Sequence, residues 1–175
     1  MKKSYIILIG IFFFLSCKRE NNPLFRVVFN PVTITVDQTM SVFEEHSFLA
    51  PVKTNFKSTF DAAGVNPDSI NYIRPIAATF ISIFNNGDLD FIRAASIRVC
   101  PLGSSNVNRC GTEAFWRDPV PNNVNSQIDF ANGSVSDIQN LVLNEDVELQ
   151  ILLEELWNPP SGIFDIQVRV EFGVW

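Results

Sequence analysis

The sequence predicts an all-β fold, a single antiparallel β-sandwich, Ig-like in general architecture and carrying two short helices. Three observations lead there. Near the C-terminus Phe164, Ile166, Val168, Val170, Phe172 and Val174 alternate with Asp165, Gln167, Arg169, Glu171 and Gly173, the two-residue period of a half-buried strand. Turn-forming clusters such as Asn158-Pro159-Pro160-Ser161-Gly162 separate the periodic runs. The 16 phenylalanines and 3 tryptophans in 175 residues suit a large two-layer interior, and they argue against disorder.

The elements follow in chain order. Val32, Ile34 and Val36 alternate with Thr33 and Thr35 as a strand, and Pro31 marks an edge position or a bulge, because proline cannot donate to a sheet ladder. A first helix has Thr54 as N-cap, Phe56, Phe60 and Ala63 on one face, and Gly64 as C-cap. Ile76–Phe84 is nearly all apolar and reads as a strand buried on both faces. The Asn85-Asn86-Gly87-Asp88 turn leads to a second strand at Ala94–Cys100, and these two strands are expected to form the central pair. A second helix places Ile138, Leu141 and Val142 on one side, between Ser134 or Ser136 and Asn144. Val147, Leu149, Ile151 and Leu153 then alternate with Glu148, Gln150, Leu152 and Glu154, and this strand is expected to pair with 164–174 as a hairpin. With about six to eight strands, an up-and-down barrel of the lipocalin type is the alternative architecture.

Ahead of this domain lie Lys2-Lys3 and the apolar run Tyr5–Leu15, 11 residues long. Crossing a bilayer as a helix takes roughly 20 residues, so the run reads as the hydrophobic region of an export signal. Phe14-Leu15-Ser16-Cys17 resembles the lipobox of bacterial lipoproteins, in which a hydrophobic and a small residue precede an invariant cysteine. The resemblance covers about the first twenty residues, and nothing in the folded part is specific enough to carry residues over. It implies cleavage of residues 1–16 and acylation at Cys17, so that a short tether over 17–23 leads into the sandwich expected over 24–175. Attachment by several acyl chains would be stable, since each buried methylene contributes about 0.8 kcal/mol and a single chain holds only reversibly. An ordinary secretory signal ending near a chance cysteine is the other reading. Lys18 stands where aspartate would resemble an inner-membrane retention signal, so outer-membrane sorting is implied. Lys18-Arg19-Glu20 is similar to the charged segment that directs some lipoproteins to the cell surface.

Loss of Lys2 and Lys3 with the signal makes the formal net charge of −6 more negative by two. Such a balance disfavours nucleic acid as a partner and repels anionic headgroups. Cys100 and Cys110 bracket a turn-rich loop, and in an oxidising compartment they are expected to form a disulfide. A metal or redox pair is the competing reading, but the spacing is unlike Cys-x-x-Cys and no histidine lies nearby.

No catalytic constellation stands out, and neither a cofactor nor a metal is expected. His46, with Ser47 or Ser41, lacks the Gly-x-Ser-x-Gly elbow that holds a nucleophile in a strained turn. The oxygen-rich stretch Asn85–Asp90 lacks the order of a calcium loop and reads as a plain turn. Glu154 and Glu155 are strand neighbours and point to opposite faces. Trp116 and Arg117 are the candidate ligand or partner contacts, set in a polar, proline-bearing segment between strands. The bland alternative has Phe115 and Trp116 plugging the end of the sandwich. The function expected is that of a non-enzymatic, surface-exposed outer-membrane lipoprotein acting as accessory or interaction subunit of an outer-membrane protein partner. A glycan-binding module using Trp116 is the alternative.

Overall fold

A computed structural model describes residues 22–83, 87–104, 108–135 and 137–175. The expected export signal, Cys17, most of the expected tether, Phe84, Asn85-Asn86 and Ser136 lie outside the described residues. Ten strands and two short helices follow in order: β1 (Phe25–Val28), β2 (Val32–Val36), β3 (His46–Lys53), α1 (Phe56–Ala63), β4 (Ile73–Ser82), β5 (Ile92–Pro101), β6 (Thr112–Arg117), β7 (Gln127–Asp129), β8 (Ala131–Asn132), α2 (Gln139–Val142), β9 (Asp146–Leu156) and β10 (Phe164–Val174). Among the described residues no helix is long and apolar enough to cross a membrane.

Two five-stranded antiparallel sheets make the expected sandwich. In the first, β1 and β2 both pair with β10, which is followed by β4 and β7; in the second the order is β3-β9-β5-β6-β8. Strand β2 is an edge, as Pro31 foretold, and Pro31 marks a break between two collinear pieces that run along the same side of β10. Phe29 fills that break: it is buried and its ring meets Phe172 at 4.7 Å. Strands β7 and β8 are consecutive pieces of one segment that leaves β4 and joins β6, so the chain turns a corner from one sheet to the other at Phe130.

The inner faces close on each other. Val147, Leu149, Ile151 and Leu153 of β9 and Ile166, Val168, Val170 and Phe172 of β10 belong to one buried cluster. Phe115 of the second sheet and Phe172 of the first meet across the interior at 5.6 Å between ring centroids.

Both expected hairpins are absent. Strand β9 lies in the second sheet and β10 in the first, and β4 and β5 are separated in the same way. Two strands that each carry a fully apolar face bury more surface facing each other across the sandwich than side by side, and connectors of turn-forming residues can cross the roughly 10 Å between sheets as readily as they can reverse in plane. Strand β4 is also less buried than expected. Ile73, Ala78 and Phe80 face inward, while Arg74 and Ala77 are exposed.

The helices depart in detail. Phe56 and Phe60, one turn apart, are the buried face of α1, and Ala63 is exposed. Asn55, in a left-handed conformation at φ 58°, precedes the helix, and Thr54 is not its cap. Thr54 is instead buried and donates its hydroxyl to the Asn144 carbonyl at 3.1 Å. Gly64 ends the helix at φ 65°, a left-handed conformation that favours glycine. Helix α2 is a single turn of four residues, with Val142 buried.

Candidate interaction surfaces

The strand directions give the molecule two ends. At one, the backbone N–H of Leu24 donates to Val174 O at 2.7 Å, so the chain arriving from the tether enters the fold beside the end of β10. The other end carries the β2–β3, β4–β5, β6–β7 and β9–β10 connections.

Cys100 and Cys110 are disulfide-bonded, with Cα atoms 5.5 Å apart. They fasten the β5–β6 loop over the outer face of the second sheet, where Glu148, Gln150, Leu152 and Glu154 of β9 project. Gln150 is 1% exposed. Its Oε1 accepts the Cys110 N–H at 2.9 Å, and its Nε2 donates to Asn108 O at 2.9 Å and to Ser47 Oγ at 3.1 Å. Arg98 donates through Nε to Cys110 O at 2.7 Å. Arg109 reaches Glu45 at 2.5 Å and Glu154 at 3.5 Å. The hydrogen bond that Arg109 donates to Glu45 foremost, with the Glu154 charge adding, holds its guanidinium above its ordinary range. Gly111 sits at φ 50° against β5, where a Cβ would run into the Val99 carbonyl. Leu152, an apolar residue on this outer face, is fully buried.

Trp116 belongs to β6 and is not in a loop between strands. It stands opposite Ser96 on the outer face and remains 40% exposed. Ser96, buried, donates to Glu154 at 2.7 Å. The neighbouring Phe115 points the other way and is core. Arg117 is half-buried, and its Nε is shielded without a hydrogen-bond partner among the described residues. Trp116 and Arg117 therefore sit on opposite sides of the strand, and the structure does not join them in one site.

His46 opens β3, and its Nε2 donates to the Ser41 carbonyl at 2.7 Å, closing the β2–β3 loop. Ser41 Oγ accepts the Phe43 N–H at 3.2 Å. Asp37 accepts from the Thr39 N–H at 2.7 Å and from its hydroxyl, which hold its carboxyl below the usual carboxylate range. The loop so braced carries Phe43, 94% exposed. Next to it the β9–β10 connection exposes Trp157 (46%) and Ile163 (75%). Strand β2 pairs with β10 and β3 with β9, so the β2–β3 connection crosses between the sheets at the edge and the β9–β10 connection crosses one strand further in. Arg93 lies 5.0 Å from the Trp157 ring and pairs with Glu155, whereas Glu154 engages Ser96 on the other face of the strand. Among the described residues no three His, Cys, Asp or Glu side chains gather as a metal site.

Sequence reasoning missed Gln150, although a polar residue inside the run Leu149-Gln150-Ile151-Leu152 was a usable signal. It also missed Phe43, which nothing in the local pattern singles out. Comparison with family models, with curated proteins and with solved structures gives no match.

Proposed function

We propose that this chain is a non-enzymatic outer-membrane lipoprotein, acylated at Cys17 and displayed at the cell surface, whose sandwich is an accessory or interaction subunit beside a membrane-embedded protein. The observation that carries this reading is the exposure of Phe43, Trp157 and Ile163 on neighbouring loops at the end opposite the tether. Large apolar side chains on a braced loop lose little conformational freedom on docking, which is the character of interface anchors. Their distance from the tether matters as well. The 11 residues of β10 span about 36 Å at roughly 3.3 Å each, so the partner would need an extramembrane part that stands well off the bilayer.

Two measurements test the reading. Metabolic labelling with an alkyne palmitate should mark the wild-type chain and leave Cys17→Ser unmarked. Affinity purification from solubilised outer membranes should recover a stoichiometric partner that is lost from Phe43→Ser/Trp157→Ser. Recovery of the chain alone would overturn the subunit role.

A second reading rests on a different residue. Trp116 lies exposed on a flat sheet face beside the Ser96–Glu154 hydrogen bond, an aromatic platform with polar groups of the kind that stacks a sugar ring. A glycan array with Trp116→Ala as control separates the two readings, because the subunit role predicts no glycan signal in either protein.

A further inference from the structure

The outer face of the first sheet carries an arrangement at the tether end that the subunit reading does not use. Gly173 of β10 is in register with Arg26 of β1 on one side and with Arg74 of β4 on the other. All three share the outer face, so two exposed arginines flank a position without a side chain. Ile76 and Trp175 close over it, and a Cβ at Gly173 would come within 2.6 Å of both. The indole of Trp175 stacks on Tyr72 at 5.2 Å, and the Arg74 guanidinium lies 3.9 Å from the Tyr72 ring. Arg26, Tyr72, Arg74, Ile76 and Trp175, together with Asn22 and Pro23, line a cleft of about 480 Å³.

We infer that this cleft binds the phosphate of a membrane lipid headgroup and seats this end of the sandwich on the bilayer. Neighbouring strands are about 4.8 Å apart, which puts the Arg26 and Arg74 backbones about 10 Å apart, a separation from which two guanidiniums converge on one phosphate. Arg26 donates through one nitrogen to Glu171 at 3.0 Å and keeps further donors, since a guanidinium has five. Tryptophan and tyrosine beside arginine is the side-chain set favoured at headgroup depth, where one end of the ring is apolar and the other wet.

The length of chain ahead of the cleft decides the occupant. Five residue steps separate Cys17 from Asn22, a reach of at most about 18 Å. Once Cys17 is acylated, as the proposed function holds and on which this inference rests, the cleft cannot leave the headgroup layer by more than that. The acidic net charge does not prevent contact, because charges more than about 8 Å away are screened at physiological ionic strength.

The test uses the acylated full-length chain with Trp116→Phe and Trp157→Phe, which leaves Trp175 as the single indole, reconstituted in vesicles of phosphatidylethanolamine and phosphatidylglycerol. A headgroup-attached spin label should quench Trp175, and Arg26→Gln/Arg74→Gln should reduce that quenching at least threefold while circular dichroism stays unchanged. Equal quenching in the arginine variant, or none in either, overturns the headgroup site while vesicle flotation still attests the anchor. A chain that fails to float with the vesicles overturns the lipoprotein reading, and this inference falls with it.

Discussion

The backbone N–H of Cys110 donates to the side-chain oxygen of Gln150 at 2.9 Å, joining a disulfide loop to the strand next to it in the middle of the second sheet. The contact is buried, so its polar atoms have no water to fall back on. Removing the amide strands the buried Cys110 N–H and also takes a donor from the Asn108 carbonyl. Gln150→Ala is expected to lower stability by about 2 to 3 kcal/mol, the cost of leaving such groups unsatisfied. Chemical denaturation under non-reducing conditions measures it, and a loss no larger than that of a surface substitution would show the network to be incidental.

The disulfide closes a loop with a sequence separation of 10 residues. In the chain-entropy account this contributes roughly 3 kcal/mol, and Cys100→Ser/Cys110→Ser should lose about that much. Peptide mass spectrometry without reduction should find the two cysteines linked in the wild type, and free thiols there would contradict the bridge.

Phe115 is fully buried between the sheets against Phe172. Phe115→Ala is expected to cost about 3 to 5 kcal/mol, because it removes a large side chain and leaves a cavity that the flanking strands cannot fill. Trp116→Ala, one position along and facing outward, should cost distinctly less. Thermal unfolding of the two variants gives the comparison, and equal losses would argue that Trp116 is core.

The Asp37 carboxyl titrates below its ordinary range, held there first by the Thr39 hydroxyl and then by the Thr39 N–H. The sign follows from linkage: a depressed carboxylate favours the braced loop at pH above the unfolded pKa, and that preference fades as pH falls through the lower folded value. The Thr39 amide resonance should therefore move in step with Asp37 titration below pH 4, and Asp37→Asn should abolish the movement. The same variant tests the link between loop order and docking, since it should weaken capture of any partner held by Phe43.

Part of the architecture was open to inspection in the chain. The period of two along 147–153 and 164–174 identifies the buried faces of β9 and β10, because alternate side chains of a strand must lie on opposite sides wherever that strand ends up. Paired cysteines around a turn-rich loop announce a bridge, since a loop of that length brings its ends together unaided. The expectation of acylation at Cys17 rests on the order Phe14-Leu15-Ser16-Cys17 alone, and that segment lies outside the described residues.

Pairing was a different matter. Periodicity belongs to one strand, whereas the choice between a hairpin and a crossing depends on where every other apolar face is buried, and only packing resolved that β9 joins β3 and β5 while β10 joins β1, β2 and β4. The same holds for the surfaces. Arg26, Gly173 and Arg74 are far apart along the chain and meet through sheet register. The β2–β3 and β9–β10 connections come side by side at one end because β2 pairs with β10 and β3 with β9, a relation that exists in the assembled sandwich and in no local stretch of sequence.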